Sequence, residues 1–344
     1  REQNIEEIFE NAKEPHPNNN IVSNDLPPVF IAGCGRSGTT FLRFVLNSSN
    51  KIFIPNESFF IIDYLKYGES LPAFLQEKML FNEPLLRLWY NGTPFLLSDI
   101  AKTLKAVHKK YARKAGYRLW GQKTPKFIRH IDLLNQNFGE IKWILIYRDP
   151  RAVVSSMLNS ERHTYSVTKA VKRWKRDNQI IINLMRKDKK NFLFVKYENL
   201  ISDFPLKAKQ IFSYINIETI TVEDLERRGK PPECLDGSRL KNIGVDNTFV
   251  PDTKNIDKWY SKLSKDEISY IENHCRKEME FFRYDRISVG QNEIPFFFYV
   301  KDFFLQLKIS KVIYIYVKKW WDLPFYFFKR KIIFLFYHYA KKIC

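Results

Sequence analysis

The stretch FIAGCGRSGTTFLRFVL, residues 30–46, constrains the fold more than any other part of the chain. An apolar run typical of a buried strand leads into a turn with three glycines, and an apolar helical pattern follows. Strand, glycine-rich loop and helix in this order form an anion site, because unpaired N–H groups and the positive dipole end of the helix face the loop. The stretch therefore predicts a helix beginning near Thr39 and an anion bound by the loop.

The rest of the chain repeats the alternation of strand and helix. Strand-like runs, continuously apolar as in parallel strands buried on both faces, occur at 29–33, 142–148 and 191–197. Helical patterns occur at 102–116, 165–187 and 264–282, the last opening with Ser264 and Glu267 at capping-box spacing. This order predicts an α/β fold: a P-loop-like parallel sheet flanked by helices, with a basic aromatic helical appendage at the C-terminus.

Composition divides the 344 residues into a polar leader (1–26), a main domain (27–290) and an appendage (291–344). Residues 295–344 carry ten Lys or Arg against two Asp, interleaved with aromatics, which is typical of a segment in the headgroup zone of a bilayer. The uncharged run 332–340 is too short to span a membrane. We expect peripheral membrane contact here; packing on the chain's own core or across a homodimer are the alternatives.

The net charge and the cysteines limit which partners and metals we expect this chain to bind. A formal net charge of +19 predicts an anionic partner, but no RRM, KH or zinc-finger signature occurs, so we expect no nucleic acid. The four cysteines lack metal-site spacing, so we expect reduced thiols and no metal; a disulfide between Cys234 and Cys275 is the alternative. No secretory signal is evident, which predicts a cytoplasmic or peripheral membrane protein, or a Golgi-lumen protein if an anchor precedes Arg1.

The loop carries its own set of anion ligands. Its glycines match the Walker A pattern, but Thr39 occupies the position of the lysine that reaches the β and γ phosphates. Transfer of a γ-phosphoryl group is therefore disfavoured, and a P-loop kinase is a remote alternative. A guanidinium, backbone N–H groups and hydroxyls replace that lysine, supplied by Arg36, Ser37, Gly38, Thr39 and Thr40. This set suits a 5′-phosphate bound without a metal.

A second strand, corner and helix follow in YRDPRAVVSSM, residues 147–157. Asp149 and Pro150 occupy the N-cap and first positions of the predicted helix. Arg148 lies at the carboxyl end of the strand, the edge where ligands bind in open α/β sheets, and Ser156 comes about two helical turns later. We expect Arg148 and Ser156 to bind a second phosphate.

The two motifs resemble those of sulfotransferases that use 3′-phosphoadenosine 5′-phosphosulfate (PAPS). GRSGTTFLRFVL is similar to their 5′-phosphosulfate loop, and YRDPRAVVSSM is similar to their 3′-phosphate motif. The resemblance extends over residues 28–285 and is in register with tyrosylprotein sulfotransferases and their bacterial relatives. It implies PAPS as cosubstrate, PAP as product, no metal, and transfer of a sulfuryl group to an acceptor hydroxyl.

The same resemblance implies individual roles. Glu57, seventeen residues beyond Thr40, matches the general base of that branch, and Lys123 of the segment GQKTPKF matches the catalytic lysine. Tyr197 matches the tyrosine on the adenine side of the nucleotide. Lys258 matches a nucleotide-binding lysine that precedes a late tryptophan.

The acceptor is less well specified. Ser160 stands where the tyrosylprotein branch has an arginine, and no serine counterpart to a late active-site residue of that branch precedes Lys258. We therefore expect a hydroxyl of a glycan or glycolipid as acceptor, with peptide tyrosine as the alternative. The variable segments 59–118 and 222–255, which would select the acceptor, contain no readable motif.

Overall fold

A computed structural model describes residues 26–55, 57–67, 100–114, 116–160, 166–187, 190–224 and 251–288. The predicted leader, apart from its last residue, and the predicted appendage lie outside these described residues. The division of the chain into three parts therefore stays a prediction.

Five parallel strands form one sheet: β1 (Val29–Gly33), β2 (Ile52–Phe53), β3 (Leu119–Lys123), β4 (Lys142–Tyr147) and β5 (Phe192–Lys196). Their order is β2–β3–β1–β4–β5. The central strand is β1, in which Phe30 is paired with Gln122 of β3 and with Trp143 of β4. The predicted parallel sheet is confirmed, and the three predicted strands agree with the structure to within one residue at each end.

Two strands, β2 and β3, were not predicted from the pattern. β2 has two residues, too few for any periodicity. β3 has the sequence LWGQK, in which glycine, glutamine and lysine are poor strand formers, yet all five residues are buried. Gln122 and Lys123 are buried because they bond to other side chains inside the protein. The strand therefore lacks the continuous apolar run that buried strands usually show.

Helices surround the sheet: α1 (Thr39–Asn47), α2 (Phe60–Tyr67), α3 (Ile100–Lys114), α4 (Ile131–Phe138), α5 (Pro150–Leu158), α6 (Val167–Met185), α7 (Tyr197–Ser202), α8 (Phe204–Tyr214), α9 (Lys265–His274) and α10 (Arg276–Phe282). Two 3₁₀ turns span Pro125–His130 and Thr253–Asn255. α1 begins at Thr39 as predicted, and Ser264 and Glu267 form the predicted capping box of α9.

The continuous helix predicted over 264–282 is wrong in one respect, because the structure interrupts it at Cys275. Ile271, Cys275 and Met279 are fully buried at four-residue intervals. Helical hydrogen bonds continue across this point, from the N–H of Cys275 to the oxygen of Ile271 at 2.9 Å and from the N–H of Met279 to the oxygen of Cys275 at 2.8 Å. Cys275 is a buried free thiol, and Cys234 lies outside the described residues.

The core fills both faces of the sheet. Successive residues of β1 point to opposite sides, so Phe30 joins one apolar cluster and Ile31 the other. The ring of Phe30 lies 5.4 Å from that of Trp143 and 5.5 Å from that of Phe138, in edge-to-face geometry. This rigid centre fixes the edge where the carboxyl ends of the parallel strands meet.

Candidate active site

The loop after β1 has a backbone that its sequence permits. Gly38 has a φ of 95°, in the left-handed region that favours glycine, and a Cβ there would lie 2.4 Å from the ring of Tyr197. Arg36 also has a positive φ, of 74°, which is uncommon for a residue with a side chain. The loop is therefore held tightly against Tyr197 at the start of α7.

The start of α1 fits an anion. Gly38 precedes the helix and offers no side-chain cap, and the first turn of α1 contains no acidic residue. The first N–H groups of α1 thus lack an intrahelical acceptor, and they lie at the positive end of the helix dipole. The Oγ of Ser37 is buried and has no hydrogen-bond partner within the described part of the chain. A phosphate or sulfate oxygen would satisfy these donors.

Arg148 lies beside this loop at the end of β4. Its Nη1 is 3.5 Å from the backbone oxygen of Arg36, and its Nη2 donates to the backbone oxygen of Asn255 at 2.6 Å. The guanidinium carbon lies 4.0 Å from the ring centre of Tyr197. Its Nε is buried and has no hydrogen-bond partner among the residues that the structure describes. The guanidinium is therefore positioned and retains a donor for an anion.

The two predicted phosphate motifs are in direct contact. The Nε of Arg36, in the first motif, donates to the Oγ of Ser156, in the second, at 3.0 Å. Ser156 was predicted to act together with Arg148, but its recorded partner is Arg36. The contact fixes the two motifs close enough for one ligand to touch both.

Glu57, Lys123 and Thr40 converge from three elements. The Nζ of Lys123, at the end of β3, lies 2.6 Å from Oε1 of Glu57 and 3.4 Å from Oγ1 of Thr40 in α1. The side chain of Lys123 is 4% exposed and that of Glu57 is 34% exposed. Thr124 accepts a hydrogen bond from the backbone N–H of Ser58 at 2.9 Å, which holds the Glu57 segment to the end of β3. The carboxylate is accessible, and its ammonium partner faces the loop.

Tyr197 and Lys258 differ in their surroundings. Tyr197 is buried, and burial raises the pKa of its hydroxyl, although the nearby charge of Arg148 lowers it in part. Tyr197 therefore offers a neutral ring. Lys258 is exposed, and its contact recorded in the structure is a backbone oxygen accepting from Ser261. Lys258 thus lies at the surface, next to the buried Trp259.

Arg151 joins the Lys258 loop to the second motif. Its guanidinium carbon lies 4.3 Å from the ring centre of Trp259, and it donates to Asp149 at 2.6 Å and to Glu272 at 2.7 Å. Asp149 also caps α5, as predicted, by accepting from the backbone N–H of Arg151. Burial works against the charge of Arg151, but the two carboxylates raise its pKa overall.

Sequence reasoning missed a charged group beneath the loop. The carboxylate of Asp177, on α6, accepts two hydrogen bonds from Arg129, at 2.6 and 2.8 Å. Arg173, one turn earlier on α6, lies 3.9 Å from the same carboxylate. Burial, followed by the charge of Asp177, raises the pKa of the neighbouring Cys34 thiol. The i, i+4 spacing of Arg173 and Asp177 was a readable signal, but their position under the loop was not.

Comparisons with known proteins indicate the family. Residues 27–221 match the model described as "Sulfotransferase family". Protein-tyrosine sulfotransferase 1 of Danio rerio is 26% identical over 257 residues, which are 72% of this chain and 69% of that protein. Protein-tyrosine sulfotransferase 1 of Homo sapiens is 28% identical over 135 residues, 39% of this chain and 35% of that protein.

Solved structures share the fold. The sulfotransferase domain from the curacin biosynthetic pathway has a TM-score of 0.55 at 19% identity, over 76% of this chain and 99% of that one. The sulfotransferase domain of the Synechococcus PCC 7002 olefin synthase has a TM-score of 0.52 at 24% identity, over 79% and 98%. Within the described ranges, no helix combines the length and apolar character needed to cross a bilayer.

Proposed function

This chain belongs to the sulfotransferase family, and we propose that it transfers a sulfuryl group from PAPS to the hydroxyl of a glycan or glycolipid. PAPS supplies the activated sulfuryl group. The donors at the start of α1, with Ser37 and Arg36, suit the 5′ end of the nucleotide. Arg148 and Ser156 suit its 3′-phosphate, and the neutral ring of Tyr197 suits a place beside the adenine. Lys258, from the exposed loop, completes the proposed nucleotide site.

One observation supports the proposed chemistry most strongly: Lys123 contacts both Glu57 and Thr40. We assign Glu57 as the general base that removes the proton of the acceptor hydroxyl. Lys123 lies between this base and the loop, so its ammonium group is suited to stabilise negative charge that develops on the leaving side. Arg36, Arg148 and Tyr197 orient the reactants, which lowers the entropic part of the barrier.

The assignment of Glu57 is tested with Glu57→Gln, which keeps the size of the side chain and an oxygen for Lys123. We expect kcat to fall by about 10²–10⁴-fold, the usual contribution of a general base. The affinity for PAP should stay at the wild-type value, because the base faces the acceptor. Undiminished turnover in a variant that still binds PAP would remove Glu57 from this role.

Peptide tyrosine is the second candidate acceptor, because both curated relatives are named protein-tyrosine sulfotransferases. Ser160, in place of the arginine of that branch, favours the glycan or glycolipid. Labelled PAPS should be offered in parallel to oligosaccharides, glycolipids and tyrosyl peptides, with the same peptides carrying Phe instead of Tyr as controls. Label on the sugar compounds alone would support the proposal, whereas label that requires the tyrosine would favour the alternative.

Residues 295–344 are proposed to contact a membrane surface, on the strength of their ten basic residues and clustered aromatics. The full chain should float with vesicles that contain anionic lipid, less with neutral vesicles, and less at high salt. Equal flotation with both kinds of vesicle would contradict the electrostatic part of this proposal.

A further inference from the structure

Asp177 is a buried carboxylate that connects three parts of the candidate site. Its side chain is 1% exposed and accepts the paired hydrogen bonds of Arg129, from the 3₁₀ turn that follows Lys123. Its charge also raises the pKa of the buried thiol of Cys34, the residue before the loop glycine Gly35, in addition to the larger effect of burial. One turn earlier on the same helix, the Nε of Arg173 lies 3.9 Å from this carboxylate, and the Arg173 side chain is 25% exposed.

Arg173 reaches the phosphate loop. A Cβ added to Gly35 would lie 2.7 Å from the Nη2 of Arg173 and would meet no other group within 3.4 Å. The guanidinium therefore packs directly against the loop backbone, at a position where a side chain on residue 35 would displace it. Two arginines, Arg129 and Arg173, flank one buried carboxylate here, so this side of the loop keeps a net positive charge.

A second cation at the loop would add to the charge of Arg36. Thr39 stands where nucleotide-triphosphate enzymes have a lysine, and the Nε of Arg36 is bonded to Ser156 on the other motif. We propose that Arg173 is a binding residue for the 5′ end of the nucleotide, with Asp177 as the residue that positions its guanidinium. This inference rests on the proposed function, since it assumes that the loop binds the 5′ end of PAPS.

The test compares two probes by calorimetry: PAP, which has both phosphates, and adenosine 3′-monophosphate, which lacks the 5′-phosphate. Arg173→Met should weaken PAP binding by about tenfold to a hundredfold, the usual effect of losing a charged hydrogen bond, and leave adenosine 3′-monophosphate unchanged. Arg176→Met is the matched control, because Arg176 also lies near Asp177, at 3.6 Å, but is 56% exposed. It should bind both probes like the wild type.

Arg148→Met separates this inference from the proposed function. This substitution should lower the affinity for both probes, because both carry the 3′-phosphate. If Arg148→Met weakens PAP but Arg173→Met does not, the role of Arg173 is overturned and the proposed nucleotide site stands. If wild-type protein binds neither probe, both proposals fail.

Two further variants keep the test decisive if Arg173→Met does not fold. Arg173→Lys retains a cation next to Asp177 and should lose several-fold in PAP affinity, since a lysine lacks the planar fork of donors. As a single substitution, Gly35→Ala should shift the Arg173 guanidinium and lower the affinity for PAP. In a chain that already carries Arg173→Lys, the same substitution should have no further effect on that affinity. PAP affinity unchanged in both single variants would overturn the proposal.

Discussion

The ammonium nitrogen of Lys123 lies 2.6 Å from a carboxylate oxygen of Glu57, although 66 residues separate them in the chain. The parallel sheet brings them together, because Lys123 ends β3 and the segment of Glu57 is bonded to the residue that follows it. Lys123 also approaches Thr40 in the helix after the phosphate loop. A base, a cation and an anion site are therefore adjacent in the folded chain.

Lys123→Met should lower kcat by about 10²–10³-fold, the range found when a group that stabilises developing negative charge is removed. Steady-state kinetics with saturating PAPS would measure the loss. Lys126→Met is the control, since Lys126 lies on the exposed side of the 3₁₀ turn. Equal kcat values in the two variants would exclude the proposed role of Lys123.

Gly38→Ala should lower the free energy of unfolding by more than the cost of placing alanine in a left-handed backbone conformation. Its Cβ would be forced to 2.4 Å from the ring of Tyr197. Gly116→Ala is the matched control, because Gly116 has a similar φ of 78° but nothing within 4 Å of the added Cβ. Urea denaturation should give a loss of about 1 kcal/mol for Gly116→Ala and clearly more for Gly38→Ala. Equal losses would contradict the tight packing of the loop on Tyr197.

Glu272→Gln should cost about 3–5 kcal/mol, as expected when one partner of a buried ion pair is removed. Glu272 is fully buried and accepts from Arg151 and from the backbone N–H groups of Ile287 and Ser288. Burial would raise its pKa, but the bonds from Ser288 and Ile287 and the charge of Arg151 lower it, so the carboxylate is ionised.

The control for Glu272 is Glu280→Gln, which breaks the exposed pair between Arg276 and Glu280 at the surface of α10. Exposed pairs of this kind contribute about 0–1 kcal/mol. Chemical denaturation should therefore separate the two variants by several kcal/mol. Losses of the same size would show that the Arg151 network does not stabilise the fold.

His108 should make the protein less stable in mild acid. Burial lowers the pKa of His108 from 6.5 to about 4, against the opposing effect of its hydrogen bond to the backbone oxygen of Leu104. Between these two values the unfolded chain binds a proton that the folded chain does not. The free energy of unfolding should therefore fall as the pH drops from about 6.5 to about 4, by roughly 3 kcal/mol.

The variant His108→Gln isolates this effect, since it keeps a polar partner for Gln122, the residue before Lys123. Its stability should decline less steeply than that of the wild type between pH 6.5 and pH 4, measured by urea denaturation. His130, whose pKa burial also lowers to about 4, is present in both proteins, so its contribution cancels. Parallel pH profiles would show that His108 is not the group responsible.

The sequence predicted the parts of the fold that depend on local pattern. The central strand, the start of α1 at Thr39 and the caps at Asp149 and Ser264 follow from short-range rules, and the structure confirms them. β3 was missed because Lys123 is buried for a contact with Glu57 that no local pattern encodes.

Long-range contacts explain the rest of what the sequence did not predict. The partner of Ser156 is Arg36, 120 residues away, because the sheet order sets β1 beside β4 and so brings the two following segments together. Likewise, the place of Arg173 at Gly35 depends on how α6 packs beneath the loop, which spacing within one helix cannot specify.

The most direct test of the nucleotide site is a calorimetric titration of the full chain with PAP in EDTA, repeated with ATP. We predict that each chain binds one PAP without a metal, and that it binds ATP less tightly than PAP. The affinity for PAP should fall about tenfold or more in Arg148→Met. Binding of ATP as tight as that of PAP, or binding of PAP that survives in full without the Arg148 guanidinium, would contradict the proposal that the two strand ends bind one adenosine bisphosphate.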